Sequence, residues 1–426
     1  MRIGIQTWGT EGDVRPFFSL ASALRDRGHT VKVVYTSVEG RDFGPLAAQC
    51  GVEAVGVGGE YFLANAERNG KRAQQSFELG NPLSQLRLIV EDLMDPVAMA
   101  MFEAGKVLAS ESDAMIGHFL AHPAGSAAEA SGIPYGVVAL QPIFASAHYP
   151  PVGMPAFARW LNPLKWRLVG RVLESVFRDR VNGLRTRVGL EPVRDLHRNV
   201  LEHCAFGLVA VSPSLFPRPP DWSPHADVCG FLGLPDAAEP WEPDPALRAF
   251  LADGAPPAFL SFGSMFNLDG DRTSAVVAKL AEAVQLAGTR AIIQAKEEVI
   301  ARAPKHTSIA YLARAPHARL FPSCSVIVHH GGAGTTQSAL LAGRPSIVVP
   351  HAADQFYWGD LLHQRGVASK PLAARALTPK ALAARLRFVL ERPDLTRRAG
   401  TLGEALRTER GPERAAELVE RAFARG

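Results

Sequence analysis

The residues best suited to chemistry lie in a glycine-rich loop with the sequence VIVHHGGAGTT, residues 326–336. Its β-branched start predicts a buried parallel strand, and the stretch from Thr335 to Ala342 predicts a helix. A turn between a strand and a helix N-terminus presents free backbone N–H groups and a positive helix end, which suits a phosphate. Glycine lets an oxygen approach the backbone because it carries no Cβ. The candidate phosphate ligands are the His330 imidazole, the hydroxyls of Thr335 and Thr336, and the backbone of Gly332, Ala333 and Gly334.

The spacing of these glycines excludes two common phosphate loops. The chain lacks the Gly-x-x-x-x-Gly-Lys-Ser/Thr pattern of a P-loop at this position. It also lacks Gly-x-Gly-x-x-Gly, and the loop lies in the second half of the chain rather than after its first strand. A purely structural interpretation stays open, in which the loop is a tight strand-to-helix turn with buried histidines.

A second candidate loop, WGTEGDVRP at residues 8–16, follows the predicted first strand. Apolar residues at helical spacing predict a helix from Phe17 to Arg27, with Pro16 in its first turn. Ligands of open α/β sheets bind beyond the carboxyl ends of the strands, where this loop lies. The Asp13 carboxylate could accept a proton there, or it could cap the helix N-terminus. His118 ends another predicted strand, and catalytic and structural roles are both open for it.

Composition narrows the class of protein. The 426 residues are enough for two domains, and a net charge of +4 without Lys/Arg runs argues against a nucleic-acid partner. Four scattered cysteines without a C-x-x-C pair, and a first strand in place of a signal peptide, predict a cytoplasmic protein. We expect no membrane-spanning segment, because no uncharged apolar run reaches 18 residues. Residues 156–177 form a basic amphipathic pattern, which predicts a domain helix with a solvated basic face, an apolar entrance for an acceptor, or a site of weak peripheral membrane contact.

The His-His-Gly-Gly-Ala-Gly-Thr-Thr segment resembles the donor-binding signature of nucleotide-sugar-dependent glycosyltransferases, of the natural-product, sterol and rhamnolipid types. The resemblance covers nearly the whole chain and is weakest between residues 60 and 200. It implies an α/β protein with two Rossmann-like domains whose parallel sheets face a central cleft, the GT-B fold. The implied division is an acceptor domain at 1–213, a proline-rich linker at 214–240, a nucleotide-sugar domain at 241–405 and a C-terminal helix at 406–426 returning to the first domain.

The resemblance also implies roles for individual residues. Asp13 matches the general base of the sterol and glycopeptide enzymes. Many relatives instead have a His in this loop, supported by a distant Asp. This loop has no His, and His118 lies in the region of that supporting Asp. The residues that correspond to donor contacts are Gly12, Gly263, Ser264, Leu312, Arg314, His317, His330, Gly332, Ala333, Gly334, Thr335, Thr336, Asp354 and Gln355. Asp354 and Gln355 would bind the sugar, although Asp354 could also cap a helix at Gln355–Gln364.

The function so implied is inverting transfer of a hexose or deoxyhexose from a UDP- or dTDP-sugar to a hydroxyl of a hydrophobic acceptor. A polyketide or macrolide, a sterol or a hydroxy lipid would fit. We expect no cofactor besides the nucleotide sugar, and metal-independent transfer, since no Asp-x-Asp cluster accompanies the loop. The alternatives are a sugar-nucleotide epimerase on the same fold and a non-catalytic partner protein. The sequence leaves open the acceptor, the sugar, the nucleotide and the oligomeric state.

Overall fold

The computed structural model describes residues 1–79, 82–154, 158–196, 204–234, 241–263, 270–351 and 353–424. The chain divides into two compact units. The first comprises Met1–Arg72, Asn81–Ala238 and Glu409–Gly426, and the second comprises Glu239–Thr408 with Ala73–Gly80. Each unit contains one parallel sheet. The predicted fold class, α/β with two Rossmann-like domains, is confirmed.

The described part of the first unit has a seven-stranded sheet in the order β3-β2-β1-β4-β5-β6-β7. Its strands are β1 (Arg2–Gly9), β2 (Thr30–Ser37), β3 (Glu53–Gly56), β4 (Ala114–His118), β5 (Tyr135–Ala139), β6 (Phe206–Val209) and β7 (Ala226–Val228). The central strands β1 and β4 are almost entirely buried because helices cover both faces of the sheet.

Helices connect these strands. In chain order they are α1 (Glu11–Asp26), α2 (Gly44–Cys50), α3 (Gly59–Ala64), α4 (Ala66–Leu79), α5 (Pro82–Leu88), α6 (Ala98–Ser110), α7 (His122–Ser131) and α8 (Asn162–Arg187). A π-helical turn at Ile89–Met94 and a 3₁₀ turn at Asp95–Val97 precede α6.

The described part of the second unit has a five-stranded sheet in the order β10-β9-β8-β11-β12. Its strands are β8 (Ala258–Ser261), β9 (Ala291–Gln294), β10 (Ile309–Leu312), β11 (Ile327–His329) and β12 (Ser346–Val348). Its helices are α9 (Pro245–Ala252), α10 (Gly270–Ala287), α11 (Glu297–Ile300), α12 (His317–Leu320), α13 (Ala333–Leu341), α14 (Ala353–Gln364), α15 (Pro379–Leu390) and α16 (Pro393–Thr408).

The last helix, α17 (Gly411–Phe423), belongs to the first unit. Its buried face, which includes Val419 and Phe423, joins the core formed by β1, β2 and α1. Arg27 and His29, at the end of α1, both contact the Glu420 carboxylate, at 2.6 and 2.9 Å. The ion pair with Arg27 holds the pKa of Glu420 well down, at about 2.

Two local expectations are wrong. Helix α1 begins at Glu11, so Pro16 lies inside the helix rather than in its first turn. The proline-rich segment predicted as a linker is packed as far as it is described, because Phe216, Trp222 and Leu232 are buried in the first unit. It also contains β7, which the sequence analysis missed; a three-residue edge strand between prolines and glycines has too little periodicity to be recognised.

Among the described residues, no helix is both long enough and apolar enough to cross a bilayer. The four cysteines are free thiols. Burial raises the pKa of Cys204, Cys229 and Cys324 to about 12.

Candidate active-site residues

Asp13 lies in the first turn of α1, where it completes a capping box. Thr10 is the N-cap, and both its backbone N–H and its hydroxyl donate to Asp13 Oδ2 at 2.8 Å. Asp13 is therefore not the N-cap itself; it binds the cap through one carboxylate oxygen. The preceding turn depends on Gly9, whose φ is +137° and where a methyl group would overlap the Asp13 carboxylate.

The second oxygen of Asp13 faces His118. His118 is the last residue of β4 and is 1% exposed. Its Nδ1 accepts the Leu120 N–H at 3.3 Å, so the neutral ring carries its proton on Nε2, 3.9 Å from Asp13 Oδ1. Burial lowers the pKa of His118 to about 4, and the charge of Asp13 opposes that shift. The imidazole is therefore neutral at pH 7, with its N–H directed toward a carboxylate that is about one-third exposed.

Aromatic side chains surround the His118 ring. Phe119, Phe17 and Trp8 lie with ring centroids 4.8, 5.7 and 6.5 Å away. Trp8 is fixed in turn, because its indole N–H donates to the Leu93 carbonyl at 3.1 Å. His118 Nε2 has no hydrogen-bond partner in the described structure. The Asp13 carboxylate, 3.9 Å away, could accept this proton in a hydrogen bond after a small movement.

In the second unit, the ring of His330 lies between two glycines. A methyl group on Gly332 would come within 2.5 Å of Nε2, and one on Gly263 within 3.2 Å of Cε1. Burial, reinforced by His351 and His317, lowers the pKa of His330 to about 3. Both glycines are thus needed to accommodate a neutral imidazole at the end of β11.

The neighbouring residues shape the loop before α13. His329 is fully buried, and its Nδ1 accepts the Gly331 N–H at 3.1 Å. Gly331 has a φ of +94°, and a methyl group there would come within 2.7 Å of Val348 Cγ1. Burial lowers the pKa of His329 to about 3. Gly332 then begins α13 as an N-cap without a side-chain cap, so the first N–H groups of the helix are available to an anion.

The predicted donor contacts around this loop differ in exposure. Gly332, Ala333, Gly334 and Thr335 are partly exposed. Thr336 is fully buried, and its hydroxyl has no partner within the described structure. Gly263 follows β8, with a φ of +58°, whereas Ser264 lies outside the described residues. Gly12 is in the first unit, exposed in the first turn of α1.

The Asp354–Gln355 pair lies at the start of α14. The helix begins at Ala353, so Asp354 is inside its first turn and is not the N-cap. Gln355 is buried, and its Oε1 accepts the His351 N–H at 2.7 Å. A methyl group on Gly331 would come within 2.9 Å of the Gln355 carbonyl, which shows how closely α14 approaches the glycine loop.

The remaining predicted contacts lie after β10. Leu312 is the last residue of this edge strand and Arg314 is exposed just beyond it. His317 begins α12 and stacks on Phe321 at a centroid distance of 4.3 Å. Because the charge of His317 influences the pKa of His330, the two imidazoles lie within electrostatic range.

Sequence reasoning missed two residues in these sites. Thr10 holds Asp13, and its position three residues before an acidic side chain is the capping-box pattern that could have revealed it. His351 packs edge-on against Phe262 at 5.3 Å and depresses the pKa of His330, so it belongs with the His330 site. Its place directly after a predicted strand was the available signal.

Both sets of residues lie at the point where the strand order of their own sheet reverses. In the first sheet β1 pairs with β2 and β4, and Asp13 follows β1 while His118 ends β4. In the second sheet β8 pairs with β9 and β11; Gly263 follows β8 and His330 follows β11. Ligands of open α/β sheets bind at this reversal, beyond the carboxyl ends of the strands. Asp13, His118, Gly263 and His330 therefore lie at the sheet positions where such folds bind ligands, and their roles stay predictions.

Two known domain families match the chain. Residues 3–150 match the glycosyltransferase family 28 N-terminal domain. Residues 279–421 match the erythromycin biosynthesis protein CIII-like C-terminal domain. These matches contain the Asp13–His118 pair and the His330 loop, respectively.

Curated relatives agree with these matches. O-mycaminosyltylonolide 6-deoxyallosyltransferase from Streptomyces fradiae is 31% identical over 440 residues, which cover 99% of this chain and 97% of that protein. Two sterol 3-beta-glucosyltransferases from Arabidopsis thaliana are 28% and 30% identical. The alignments cover 99% and 96% of this chain, and the chain spans 68% and 64% of the length of those plant enzymes.

Solved structures share the fold along the full chain. The glycotransferase of kitacinnamycin superposes with a TM-score of 0.69 at 20% identity and covers 99% of both chains. The glycosyltransferase VinC, solved in complex with DTDP, gives a TM-score of 0.65 at 20% identity, with full coverage of both. The fold and the domain matches together define a glycosyltransferase of the GT-B fold. The chain belongs to the UDP-glycosyltransferase superfamily.

Proposed function

We propose that this enzyme transfers a hexose or deoxyhexose from a UDP- or dTDP-sugar to a hydroxyl of a hydrophobic small molecule, with inversion at the anomeric carbon. The observation that carries this proposal is the pairing of Asp13 with the neutral His118 at the strand reversal of the first sheet. The first unit would bind the acceptor and the second would bind the nucleotide sugar.

Asp13 is the general base of the proposed reaction. The acceptor oxygen attacks the anomeric carbon, its proton passes to Asp13 Oδ1, and the bond to the diphosphate oxygen breaks with the electron pair leaving on the diphosphate. His118 does not take this proton, because its Nδ1 already accepts the Leu120 N–H and its Nε2 carries the ring hydrogen. Its Nε2–H, 3.9 Å from Oδ1, would attract the carboxylate electrostatically, while Thr10 fixes the other oxygen.

The leaving diphosphate would be stabilised in the second unit. The uncapped N-terminus of α13 offers backbone N–H groups. His330, with a pKa of about 3, is neutral and so can donate one N–H while adding no charge of its own. One such preorganised donor typically contributes about 2.7–4 kcal/mol to the transition state. Asp354 and the amide NH₂ of Gln355 would bind the sugar hydroxyls.

The relatives support this choice of substrates. One is named for transfer of a deoxyallose to a mycaminosyl tylonolide, others for glucosyl transfer to sterols, and VinC was solved with DTDP. The relatives reported above are all named as glycosyl- or glycotransferases, which supports transfer over the epimerase and non-catalytic alternatives. We also propose a cytoplasmic location, which the four free thiols support.

The variant Asp13→Asn tests the base. Asparagine keeps an oxygen that can accept the Thr10 N–H, so the capping box and the melting temperature should survive. Turnover of UDP- or dTDP-glucose with a sterol or macrolide acceptor should fall by about 10²-fold or more, while the Kd of the nucleotide stays unchanged. Asp13→Ala, which also removes the cap, should lose both turnover and stability. Unchanged turnover in Asp13→Asn would remove Asp13 from the mechanism.

The variant His330→Ala tests the donor site independently. Calorimetric titration with UDP and dTDP should show at least a tenfold weaker Kd, equivalent to about 1.4 kcal/mol. His306, an exposed imidazole that follows α11, provides the control, and His306→Ala should bind as the wild type does. Identical isotherms for all three proteins would contradict the assignment of His330.

A further inference from the structure

An apolar stripe runs along the outer side of α8. Trp160 in the preceding turn, then Leu164 and Leu168, follow each other at intervals of four residues, so they align on one helix face. Their exposed fractions are 79%, 61% and 53%, among the highest for large apolar side chains in the described structure. A tryptophan and two leucines this exposed on one helix face indicate a contact surface.

Packing fixes the orientation of this face. Trp166 lies on the opposite side of the helix, where its indole N–H donates to the Tyr149 carbonyl at 2.9 Å. Asn162 is fully buried and donates to the Ala147 carbonyl at 3.0 Å. At the other end of α8, Arg185 is buried and forms a bidentate pair with Glu129 at 2.7 Å. The helix cannot rotate to bury the stripe without breaking these contacts.

The charge of this segment has one sign. Residues 159–173 contain four cations (Arg159, Lys165, Arg167 and Arg171) and no carboxylate. Arg159, Arg167 and Arg171 are exposed. On the helical wheel, at about 100° per residue, Arg171 lies about 20° and Arg167 about 60° from Leu164, on the side away from Leu168. The first acidic residue, Glu174, is engaged by Arg178 at 2.7 Å.

We propose that this face, formed by Trp160, Leu164 and Leu168 with Arg159, Arg167 and Arg171, binds the surface of an anionic lipid bilayer. Tryptophan is favoured at the boundary between headgroups and acyl chains, and leucines enter the acyl region. Arginine reaches lipid phosphates while its methylene stem stays on apolar surface. The face would hold the first unit against the surface of the leaflet.

The positive charge of this face also favours an anionic lipid surface over a second copy of the chain as its binding partner. A twofold contact would place the same patch against itself, so three arginines would oppose three arginines without a carboxylate between them. Like charges facing each other oppose association, whereas an anionic leaflet neutralises them. The inference does not depend on the assignment of Asp13 or His330.

The test is co-sedimentation of the full chain with vesicles. Wild-type protein should bind vesicles of equal parts phosphatidylcholine and phosphatidylglycerol, should bind pure phosphatidylcholine far less, and should dissociate as salt increases. Each cation near an anionic surface contributes about fivefold to partitioning, so Arg167→Glu/Arg171→Glu should weaken binding by about 25-fold or more. Trp160→Ser/Leu164→Ser/Leu168→Ser should abolish binding.

Matched controls carry the same chemical changes elsewhere. Val107→Ser/Leu286→Ser/Leu390→Ser alters three other exposed apolar side chains, and Arg302→Glu/Arg397→Glu reverses two other exposed cations. Both controls should bind as the wild type does, and circular dichroism should show all variants folded, since every changed side chain is exposed.

Three outcomes would overturn the proposal. The first is wild-type binding that does not distinguish phosphatidylglycerol from phosphatidylcholine. The second is binding that survives both changes to the α8 face or is lost equally in the controls. The third is a wild-type dimer in analytical ultracentrifugation that the serine triple variant dissociates, without binding to vesicles, which would assign the face to a second copy of the chain.

Discussion

At the scale of single residues, Asp13 uses one carboxylate oxygen to cap helix α1 and the other for its proposed role as the general base. Oδ2 takes two hydrogen bonds from Thr10, and Oδ1 faces His118. A carboxylate held in this way loses little conformational freedom when it receives a proton. The structure brings the Asp13 and His118 side chains to 3.9 Å, although the two residues are far apart in the sequence. His118 offers no free lone pair for a proton, because Nδ1 accepts the Leu120 N–H and Nε2 carries the ring hydrogen.

His118→Phe should lower activity without lowering stability. A buried nitrogen without a hydrogen-bond partner lowers the stability of the fold by about 1–3 kcal/mol. A phenylalanine at this position would pack against the aromatic side chains of Phe17, Phe119 and Trp8. The melting temperature should stay or rise, while kcat falls about tenfold or more because Asp13 loses its positioning partner.

His122→Phe is the control for that variant. Burial also lowers the pKa of His122 to about 4, and its Nδ1 likewise has no partner in the described structure, but its pKa shift shows no influence of Asp13. Its kcat should match the wild type. If both variants lose the same activity, His118 has no special relation to Asp13.

At the scale of elements, the packing of helix α16 against helix α13 supports the glycine loop. Helix α16 lies on α13, and the backbones touch at Gly403, where a methyl group would overlap the Leu340 carbonyl oxygen. Gly400, one turn earlier on α16, has open space at the same position. The close approach at Gly403 holds the end of the helix that begins at the proposed phosphate site.

Gly403→Ala and Gly400→Ala should therefore change stability in opposite directions. The first forces two backbones apart and should cost about 1–3 kcal/mol, as overpacking does. The second should stabilise by up to about 1 kcal/mol, since alanine favours a helix interior. Thermal unfolding of both variants measures this, and equal shifts would show that α16 and α13 do not approach as described.

At the scale of the whole molecule, the chain ends in the unit where it began. Glu409 accepts the Ser212 hydroxyl at 2.7 Å and the Ser214 N–H at 3.1 Å, and Gly411 passes so close to Phe231 that a methyl group would overlap its carbonyl oxygen. Helix α17 then adds Val419 and Phe423 to the core of the first unit. The first unit is thus assembled from both ends of the sequence.

A stop codon after Thr408 should destabilise the first unit. It removes two large buried side chains that contribute about 1.5–3 kcal/mol each, as an upper estimate. Limited proteolysis should then cleave within residues 1–238 before the second unit is degraded. A chain ending at Ala424 keeps α17 and should resist like the wild type; equal resistance of both truncations would contradict this role for the helix.

When the pH is lowered, the protein should begin to lose stability at a higher pH than the range in which its carboxylates titrate. Burial lowers the pKa of His118, His122, His329, His330 and His351 from 6.5 to between about 3 and 4. Between pH 6.5 and about 4 the unfolded chain binds more protons than the folded one, so stability falls as pH falls. The contribution of Glu420 to stability is lost only at lower pH, as the pH falls from 4.5 toward about 2. Melting temperatures that stay level from about pH 7 to 5 would show that these imidazoles are not buried as neutral groups.

The sequence by itself determined the two Rossmann-like halves, most strand positions and the two loops, because periodicity and glycine spacing are local properties of the chain. It placed β4 and β9 at their observed ends and recognised the loop of His330. The tertiary structure alone decided that Asp13 faces His118, that Gly263 and Gly332 enclose His330, that the proline-rich segment is packed, and that α17 completes the first core. Those facts join residues up to about 400 positions apart, and their contacts arise from burial and strand order, which no local pattern encodes.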